Sequence, residues 1–600
     1  MNIRTFNLVL LGQLLLWQAD AATYYVASWG SNSHPGTLAL PWLTIQHAVD
    51  QAVAGDSVLI REGIYPENLY FSSSGNLPEG DIVFASFPGE TAVIDGSLPG
   101  GTGLVLSDVS YVVLEDLEIR NWSNAALWIE YSHHFRLNRL KVHACFFGIG
   151  VALGSHDFEL NEVETYHFAW YGVDVSPSGG DPCYNGVFNH CVSRDCIDST
   201  ANSDGFALGH GNQHGFIFNH CVAHHMYDGF DISGRNTLLN ECLAYQCANG
   251  GYKLWQDSLV LTNCISHSNA VTNVELDWHG APKTVRMQNC TFFDAGVYNV
   301  QIYDPADTLY MYNCIVAGGD NIGLLIDGYT GTGNYHGDYN IFQNDNPMRT
   351  VNVGFTTEFS TAQVEAGAWT AYSGEDAHSL VLYTDLDSLF LNAMADDFHL
   401  SAGSIAIDAA DSVFAPPLDF DGNPRPLGSA DDIGAFEYTG ASSGITGTVR
   451  YDNAVFSPLA AVKVRLLSQG ACIDSTLTGP TGHFTFTDLD PAAYELQAVC
   501  SLPWGGVNAA DALIILKHFV GITLLNGLKA EAADTDASAF INATDALMAA
   551  KRFTGLISSF PAGDWVSEHP QLSLQPGETL NLDIHCVCTG DADGSYLPGE

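Results

Sequence analysis

The feature that most constrains this chain is a five-residue pattern that recurs through its middle: a variable residue, glycine or asparagine, an apolar residue that is often aromatic, a second variable residue and an apolar residue. Two copies are Asp204-Gly205-Phe206-Ala207-Leu208 and Asp228-Gly229-Phe230-Asp231-Ile232. The fourth position falls at 150, 174, 207, 231, 253, 275, 301 and 325, in steps of 22 to 33 residues. Repeats of this length, built from short strands and turns, are typical of solenoids.

The repeat predicts which side chains share a face. Successive side chains of a strand point to opposite sides, so the apolar third and fifth positions face the core. The fourth positions face outward, and Asp231, Lys253 and Glu275 follow one another on successive strands spaced about 4.8 Å apart. Asp204 and Asp228 stand at the entries of their strands, next to the same patch. The sequence therefore gathers carboxylates and one lysine on one outer surface.

Two further columns keep the same period. Segments such as FNHC, LNEC and MYNC end in a cysteine, and an asparagine stands two residues earlier in many of them. Stacked asparagines can hydrogen-bond along a solenoid, and cysteines stacked at the strand spacing are too far apart for a disulfide. We therefore predict one buried column of free thiols, made of Cys191, Cys221, Cys242, Cys264, Cys290 and Cys314, beside an asparagine column made of Asn138, Asn161, Asn189, Asn219 and Asn240.

These patterns predict an all-β chain: a right-handed parallel β-helix, then a small β-sandwich and a mainly helical tail. The first residues combine a basic residue, an apolar run and an Ala19-x-Ala21 site, as in secretory signal peptides. Alternating residues after 444 indicate the sandwich, and helical runs after 501 indicate the tail. The expected divisions are a signal peptide at 1–21, the β-helix domain at 22–438, the sandwich at 444–500 and the tail at 501–600.

Charge narrows the classes of partner. The chain has 20 Lys and Arg against 68 Asp and Glu, so nothing is available to neutralise the phosphates of a nucleic acid. No apolar run after the signal peptide is long enough to span a bilayer, and we expect a secreted, extracellular protein. The acidity has two readings: a solvated surface that maintains solubility, or carboxylates that bind calcium.

The motifs SDGF, YDGFD and GYKL on consecutive repeats resemble polysaccharide lyase family nine, the β-helical pectate lyases. The resemblance covers roughly residues 23–340. It implies that Asp204, Asp228 and Asp231 bind Ca²⁺ and that Lys253 is the catalytic base. The chain departs from the family pattern at Tyr227, where the family has another Asp, so one calcium ligand is missing.

The residues are consistent with that chemistry on their own. β-Elimination from a uronate removes the C5 proton, and a cation makes that proton more acidic by neutralising the adjacent carboxylate. A lysine can accept the proton once it is neutral. The structural alternative is that Lys253 is only one member of a surface charge ladder. Glu275 stands on the repeat after Lys253, and Lys283 and Arg286 lie one repeat past Glu275. All three are candidates for substrate binding, and the two cations could hold substrate carboxylates.

The C-terminal regions carry two further resemblances. Residues 445–500 resemble carboxypeptidase-regulatory-like modules. Residues 501–600 resemble dockerin modules, which implies a cohesin-like or cell-surface partner. A run with EF-hand spacing predicts a calcium loop, and the early ligands of a second loop, which ends at Asn508 and Asp511, are expected from 591–595. The first loop consists of Asp534, Asp536, Ser538, Asn542 and Asp545.

Three functions remain open at this stage. The first is a secreted, calcium-dependent lyase that cleaves polygalacturonate or a related acidic polysaccharide. The second is a lyase or epimerase that acts on alginate or another uronan. The third is a glycan-binding β-helix protein without catalysis, which the Tyr227 departure favours. A pair of adjacent histidines, His224 and His225, is set aside as a metal site, because neighbours on a strand face opposite ways.

Overall fold

The computed structural model describes residues 21–98, 100–176, 181–209, 211–276, 282–319, 321–326, 334–354, 356–383, 386–439, 443–468, 470–489, 492–574 and 579–598. The expected signal peptide lies almost wholly outside the described residues. The chain divides into two compact units, residues 1–438 and 439–600.

The first unit is a parallel β-solenoid in which each turn contributes one strand to each of three sheets of thirteen strands. This confirms the predicted fold. Strands of the first sheet are Thr23–Val26, Ser57–Ile60, Ile82–Ser86, Val112–Glu115, Arg136–Asn138, His156–Asn161, Tyr184–Asn189, Ile217–Asn219, Thr237–Asn240, Leu259–Thr262, Thr284–Gln288, Thr308–Tyr312 and Tyr335–Asp338.

The second sheet carries the five-residue repeat, and only its last pair of strands is antiparallel. Its strands are Leu69–Phe71, Leu104–Ser107, Ala125–Glu130, Phe147–Ala152, Tyr171–Ser176, Asp204–Leu208, Asp228–Ile232, Gly250–Leu254, Thr272–Leu276, Tyr298–Ile302, Ile322–Ile326, Val351–Val353 and Thr357–Phe359.

The third sheet is made of shorter strands, which follow those of the first sheet after tight corners. Its strands are Gly63–Tyr65, Ala92–Asp95, Leu117–Arg120, Lys141–Cys145, Glu164–Phe168, Val192–Arg194, Val222–His224, Leu243–Tyr245, Ile265–His267, Thr291–Phe293, Ile315–Ala317, Ile341–Phe342 and Leu380–Val381. The helices of this unit are Ile45–Gln51, Thr361–Glu365 and Ala368–Ser373, with 3-10 turns at Leu386–Ser388 and Ala393–Ala395.

The corner between the first and third sheets explains both sequence columns. A residue with positive φ, such as Arg139, Glu162 or His190, turns the chain within one position. The asparagine before it bonds to its neighbour one turn away, with N···O distances of 2.7 to 3.0 Å from Asn161 to Asn240. All six predicted cysteines are free and fully buried. Both column predictions are confirmed.

The end of the first unit covers the outer side of the third sheet. Strands Phe390–Asn392 and Asp397–Leu400 form a hairpin-like pair, and Phe390, Phe398 and Ile433 pack with Ile265 and Ile315 in a separate apolar cluster. A fully buried ion pair joins Arg425 to Glu437 at 2.6 Å. This segment therefore belongs to the first unit and leaves the second sheet uncovered by its cluster.

The second unit corrects the expected division at residue 500. Its two four-stranded sheets each include strands from beyond that point, because Thr579–Cys588 pairs with Ser443–Tyr451 and Gln571–Ser573 pairs with Ala493–Val499. The helices are therefore inserted into the sandwich. The sheets contain His483–Leu489, Ser443–Tyr451, Thr579–Cys588 and Trp565–Ser567, and Ala471–Leu477, Lys463–Ser468, Ala493–Val499 and Gln571–Ser573; the helices are Ala509–Phe519, Gly527–Ala533 and Ala543–Phe553.

In the part of the chain that the structure describes, no helix is long and apolar enough to cross a lipid bilayer.

Candidate functional site

The site lies on the second sheet, and the strand register builds it. Ala207, Asp231, Lys253 and Glu275 are register partners on four successive strands. The column extends to Asp174 on the preceding strand. The predicted outward column is therefore confirmed, and it places carboxylates on both sides of the lysine.

Asp204 and Asp228 begin their strands in register with each other, but both side chains are buried rather than exposed. The amide of Asn249 donates to Oδ1 of Asp228 at 2.7 Å, and the backbone N–H of Gly250 donates to the same oxygen at 2.8 Å. These two donors hold the carboxylate so that Oδ2 faces Lys253.

Lys253 reaches back over this carboxylate. Its Nζ lies 3.6 Å from Oδ2 of Asp228 and 3.9 Å from Oε1 of Glu275. The ammonium group also lies 4.9 Å from the centre of a Trp255 ring, which is within the range of a cation–π interaction. The side chain is 15% exposed, so the amine is sheltered yet reachable from the cleft.

Burial makes the carboxylates hard to ionise. The pKa of Asp204 is raised well above its ordinary value, first by burial and then by the charges of Asp231 and Asp228. Burial also raises the pKa of Asp228, and the nearby Lys253 opposes this rise. Burial raises the pKa of Asp174 to about 7. The group therefore needs more positive charge than Lys253 supplies if all its members are to ionise together.

The donor set fits a hard cation. Oδ1 of Asp204 and Oδ2 of Asp228 are buried and accept no hydrogen bond from the residues that the structure describes, and calcium prefers carboxylate oxygens. Asp231 is the register partner of Lys253 in the outward column. Among the described residues, this trio is absent from the clusters whose ligand atoms all lie within 4.8 Å of one another, so binding requires the carboxylates to turn toward the ion.

A cleft of about 390 Å³ opens over this patch. Tyr171 and Asp174 line one end, Trp255 lines the other, and Asp204, Asp231 and Lys253 lie between them. Sequence reasoning did not single out Asp174 or Trp255 as site residues. The column spacing was the signal for Asp174, because it occupies the fourth position of its own repeat.

Lys283 and Arg286 do not join this group. Lys283 is buried and pairs with Asp307 at 2.6 Å, so the expectation that it binds substrate is corrected. Arg286 belongs to a strand of the first sheet, where its guanidinium stacks on Tyr310 at 4.4 Å. The sequence shows that these two cations lie one repeat after Glu275, but it does not show that Arg286 belongs to a different sheet.

The His224–His225 pair also differs from expectation. His225 has a φ of 57°, so the chain turns there and brings both rings to one side. Their Nδ1 atoms lie 2.9 Å apart, and the Nδ1 of His225 lies 2.9 Å from Oδ1 of Asp195. The two neighbouring side chains do not face opposite ways, because the strand has already ended at His224.

The tail loop has the geometry of a cation site. Ligand oxygens of Asp534, Asp536 and Asp545 all lie within 4.8 Å of one another. The backbone N–H of Ser538 donates to both Asp534 and Asp536 at 3.0 Å. Asn542 caps the helix that follows, by accepting from the N–H of Thr544.

A second cluster has the same layout but is built from distant segments. Asp511, Asp591 and Asp593 bring their ligand oxygens within 4.8 Å of one another. The N–H of Ser595 donates to Asp591 and Asp593, as the N–H of Ser538 does in the first loop. Asn508 caps its helix through the N–H of Ala510. The expected return of 591–595 to the first helix is therefore confirmed as a contact.

Comparison with known proteins agrees with this architecture. The family model described as "Pel9A-like, right handed beta helix region" matches residues 24–324. Pectate lyase PEL9 of Emericella nidulans is 34% identical over an alignment of 117 residues, which covers 17% of this chain and 28% of that protein. The uncharacterized protein YwoF of Bacillus subtilis is 41% identical over 72 residues, 12% of this chain and 15% of that protein. The matched segments thus span less than a third of either relative.

Solved structures with a similar backbone include pectate lyase Pel9A, with 17% identity, a TM-score of 0.42 and coverage of 70% of this chain and 97% of that chain. A rhamnogalacturonan lyase has 15% identity, a TM-score of 0.39 and coverage of 49% and 87%. Because the family model matches just over half of the residues, the chain belongs to the Pel9A-like right-handed β-helix family.

Proposed function

We propose that this protein is a secreted, calcium-dependent polysaccharide lyase that cleaves polygalacturonate or a related uronate polymer by β-elimination. The observation that carries the proposal is Lys253, a sheltered amine 3.6 Å from a buried carboxylate in an open cleft. Membership of a family that includes pectate lyase homologues supports a polysaccharide as the substrate.

Each residue has a distinct role in the proposed reaction. Asp204, Asp228 and Asp231 would hold Ca²⁺, and a bound Ca²⁺ would neutralise the uronate carboxylate and make the C5 proton more acidic. Lys253 takes the C5 proton. The C5–H electron pair forms the C4=C5 double bond, the C4–O4 bond breaks, and the departing oxygen takes a proton from water. Lys253 then returns its proton to solvent, so no water is consumed overall.

The lysine must be neutral when it accepts that proton. The carboxylate of Asp228 favours the ammonium form, because its Oδ2 lies 3.6 Å from Nζ. Asp204, Asp228 and Asp231 would place a cation beside that negative charge, and the cation would compensate it. The calcium ligands therefore serve the base as well as the substrate, and calcium removal is expected to abolish both effects.

The decisive experiment compares the parent protein with Lys253→Ala and Lys253→Arg. Polygalacturonate is supplied with calcium or with a chelator, and unsaturated product is followed by its ultraviolet absorbance. We expect product from the parent only with calcium, and a loss of at least 1,000-fold in both variants, because arginine keeps the charge but does not release its proton.

Lys141→Ala is the matched control. Lys141 is an exposed lysine of the same solenoid, on the third sheet, and its removal should leave the rate unchanged. Lys253→Ala that still releases product at the parent rate contradicts the assignment. Sugar inversion without unsaturated product identifies an epimerase, and alginate as the preferred polymer identifies an alginate lyase.

A second candidate is a glycan-binding protein without catalysis, which Tyr227 favours. Tyr227 stands at the corner beside the carboxylates, where its backbone bonds to Ser203 and Asn249, and the family pattern has an Asp there. A parent protein that binds a uronan but releases no product under any condition supports this candidate.

We also propose that the second unit binds calcium through Asp534, Asp536, Ser538, Asn542 and Asp545, as the clustered oxygens of three of these residues support. Asp511, Asp591 and Asp593 are the corresponding second site. In this proposal, the second unit is a carboxypeptidase-regulatory-like sandwich that carries a dockerin-like insertion. The helical face of the insertion would bind a cohesin-like or cell-surface partner. A pull-down with and without calcium tests that role.

A further inference from the structure

Four aromatic side chains lie together on two neighbouring turns of the solenoid: Phe146, Phe147, Trp170 and Tyr171. Ring centres are 5.7 Å apart for Phe146 and Trp170, 5.7 Å for Phe147 and Tyr171, and 6.4 Å for Phe147 and Trp170. Phe146 is 39% exposed and Trp170 is 44% exposed. We call these four residues the aromatic platform.

The platform continues directly into the cleft. Tyr171 is the register partner of Asp204 and lines the cleft beside Asp174. Trp170 precedes it at the corner, where its carbonyl accepts from the N–H of Asp204 at 3.1 Å. Phe147 and Tyr171 therefore occupy the turn position that Asp204 and Asp228 occupy on the next two turns, at about 4.8 Å per turn.

The charge of the second sheet determines which sugars can bind to the aromatic platform. In the thirteen strands of the second sheet, as the structure describes them, Lys253 is the only Lys, Arg or His. A polymer with a carboxylate on every sugar would meet repulsion along this surface wherever no cation intervenes. The same strands hold seven carboxylates: Glu130, Asp174, Asp204, Asp228, Asp231, Glu275 and Glu358.

Aromatic faces suit an uncharged sugar instead. Exposed apolar patches beside a polar cleft are typical of ligand-binding grooves. The C–H face of a pyranose is apolar and packs on an aromatic ring without any cation, whereas a free uronate keeps a carboxylate that favours water or a counter-ion.

We propose that the aromatic platform is a stacking subsite for an uncharged sugar, either neutral or esterified, of a polymer whose free uronate lies over Lys253. The identity of that polymer rests on the proposed function. The platform would select chains in which charged and uncharged residues are mixed over chains that are charged throughout.

The test measures binding in the Lys253→Ala background, so that no turnover interferes. Three polymers serve as probes, with calcium present: polygalacturonate, methyl-esterified homogalacturonan, and a polymer that alternates uronate with a neutral sugar. Affinity electrophoresis gives relative dissociation constants. Because Trp255 also lines the cleft, contact with Trp170 is measured as the part of the tryptophan fluorescence quenching that Trp170→Ala removes.

Trp170→Ala and Phe146→Ala are the test variants. Both residues are substantially exposed, so the fold should tolerate their loss. Tyr70→Ala is the matched control, because Tyr70 is a 55% exposed aromatic on the same sheet, in strand Leu69–Phe71. We expect each test variant to weaken binding of at least one mixed polymer about tenfold or more, with little change for polygalacturonate. The two mixed polymers distinguish an esterified from a neutral sugar.

Two results would overturn this subsite. In the first, Trp170→Ala binds every polymer as tightly as the Lys253→Ala background does. In the second, Trp170→Ala weakens binding of all three polymers equally. Failure of the lyase proposal looks different, because the parent would then release no unsaturated product while binding that depends on Trp170 persists.

Discussion

At the scale of single residues, Asp231 and Asp228 differ in solvent exposure, so their substitution should have different effects. Asp228 is fully buried, whereas Asp231 is partly exposed in the outward column. We expect Asp231→Ala to fold normally and to need more calcium for the same rate, because one ligand is lost from a set of three. Measuring rate against calcium concentration should show a shifted midpoint that high calcium partly restores. Glu130→Ala, on the same sheet, is the control, and an unshifted midpoint for Asp231→Ala contradicts its role.

His399 predicts a pH dependence of stability. It bonds through both ring nitrogens, to Asp397 at 2.6 Å and to Asp421 at 2.8 Å. These bonds, with that of Asp421 the larger influence, raise its pKa from 6.5 to about 9. Its contribution is therefore fully present below pH 6.5 and is lost as the pH rises through 9.

Thermal unfolding of His399→Gln and the parent from pH 5.5 to 9.5 should show the largest difference in melting temperature at the acidic end. The difference should shrink toward pH 9.5. His378→Gln is the comparison, since His378 is 61% exposed and pairs with one carboxylate. A difference for His399→Gln that grows with pH refutes this account.

At the scale of the strand, glycine is needed at positions 205 and 229 because the next turn lies too close there for a side chain. A Cβ on Gly229 would lie 2.7 Å from the carbonyl oxygen of Gly251, and one on Gly205 would lie 2.7 Å from that of Gly229. We expect Gly229→Ala to lower stability by about 1–3 kcal/mol, as overpacking of a core does, and to lower activity through displacement of Asp228 and Asp231.

Gly250→Ala is the matched comparison on the next strand. Its Cβ would meet Asp228 at 3.1 Å and Thr272 at 3.2 Å, which small side-chain movements relieve. Chemical denaturation of both variants measures the difference. Equal stabilities would show that the close backbone approach does not explain the repeated glycine.

The strand repeat explains which parts of the site were predictable. Side-chain alternation and a fixed period determine columns, so Asp231, Lys253 and Glu275 could be aligned from the sequence, and their register is confirmed. The burial of Asp204 and Asp228 depends on neighbours such as Asn249, which no periodicity predicts. The reversal at His225 depends on one left-handed corner residue.

At the scale of the whole molecule, local sequence patterns did not predict the pairing of strands that lie far apart in the sequence. The strand Thr579–Cys588 lies in register with Ser443–Tyr451, more than 130 residues earlier. Helical spacing correctly predicted helices after residue 501, and the structure has them at Ala509–Phe519 and Ala543–Phe553. Spacing carries no information about which sheet a later strand joins. The insertion of helices into the sandwich could therefore only be seen in three dimensions.

The inserted helices lead to a prediction about calcium and the second unit. Its two acidic clusters each gather three carboxylates, and burial raises the pKa of Asp511 to about 6. Cation binding should offset the repulsion among the three carboxylates of each cluster. A ligand that binds only the folded state stabilises it by about 2.7 kcal/mol at a hundred times its dissociation constant, so calorimetry of the full chain should show the transition of the second unit rising with calcium.

Single substitutions separate the two clusters. Asp545→Ala and Asp593→Ala should each remove part of the calcium-induced rise, and together they should abolish it, whereas Asp474→Ala, on an exposed strand position, should leave it intact. If Asp593→Ala behaves like Asp474→Ala, the segment 591–595 contacts the helices without binding an ion. If neither aspartate variant changes the rise, the calcium that stabilises the chain is bound elsewhere, and the dockerin-like interpretation of this unit is wrong.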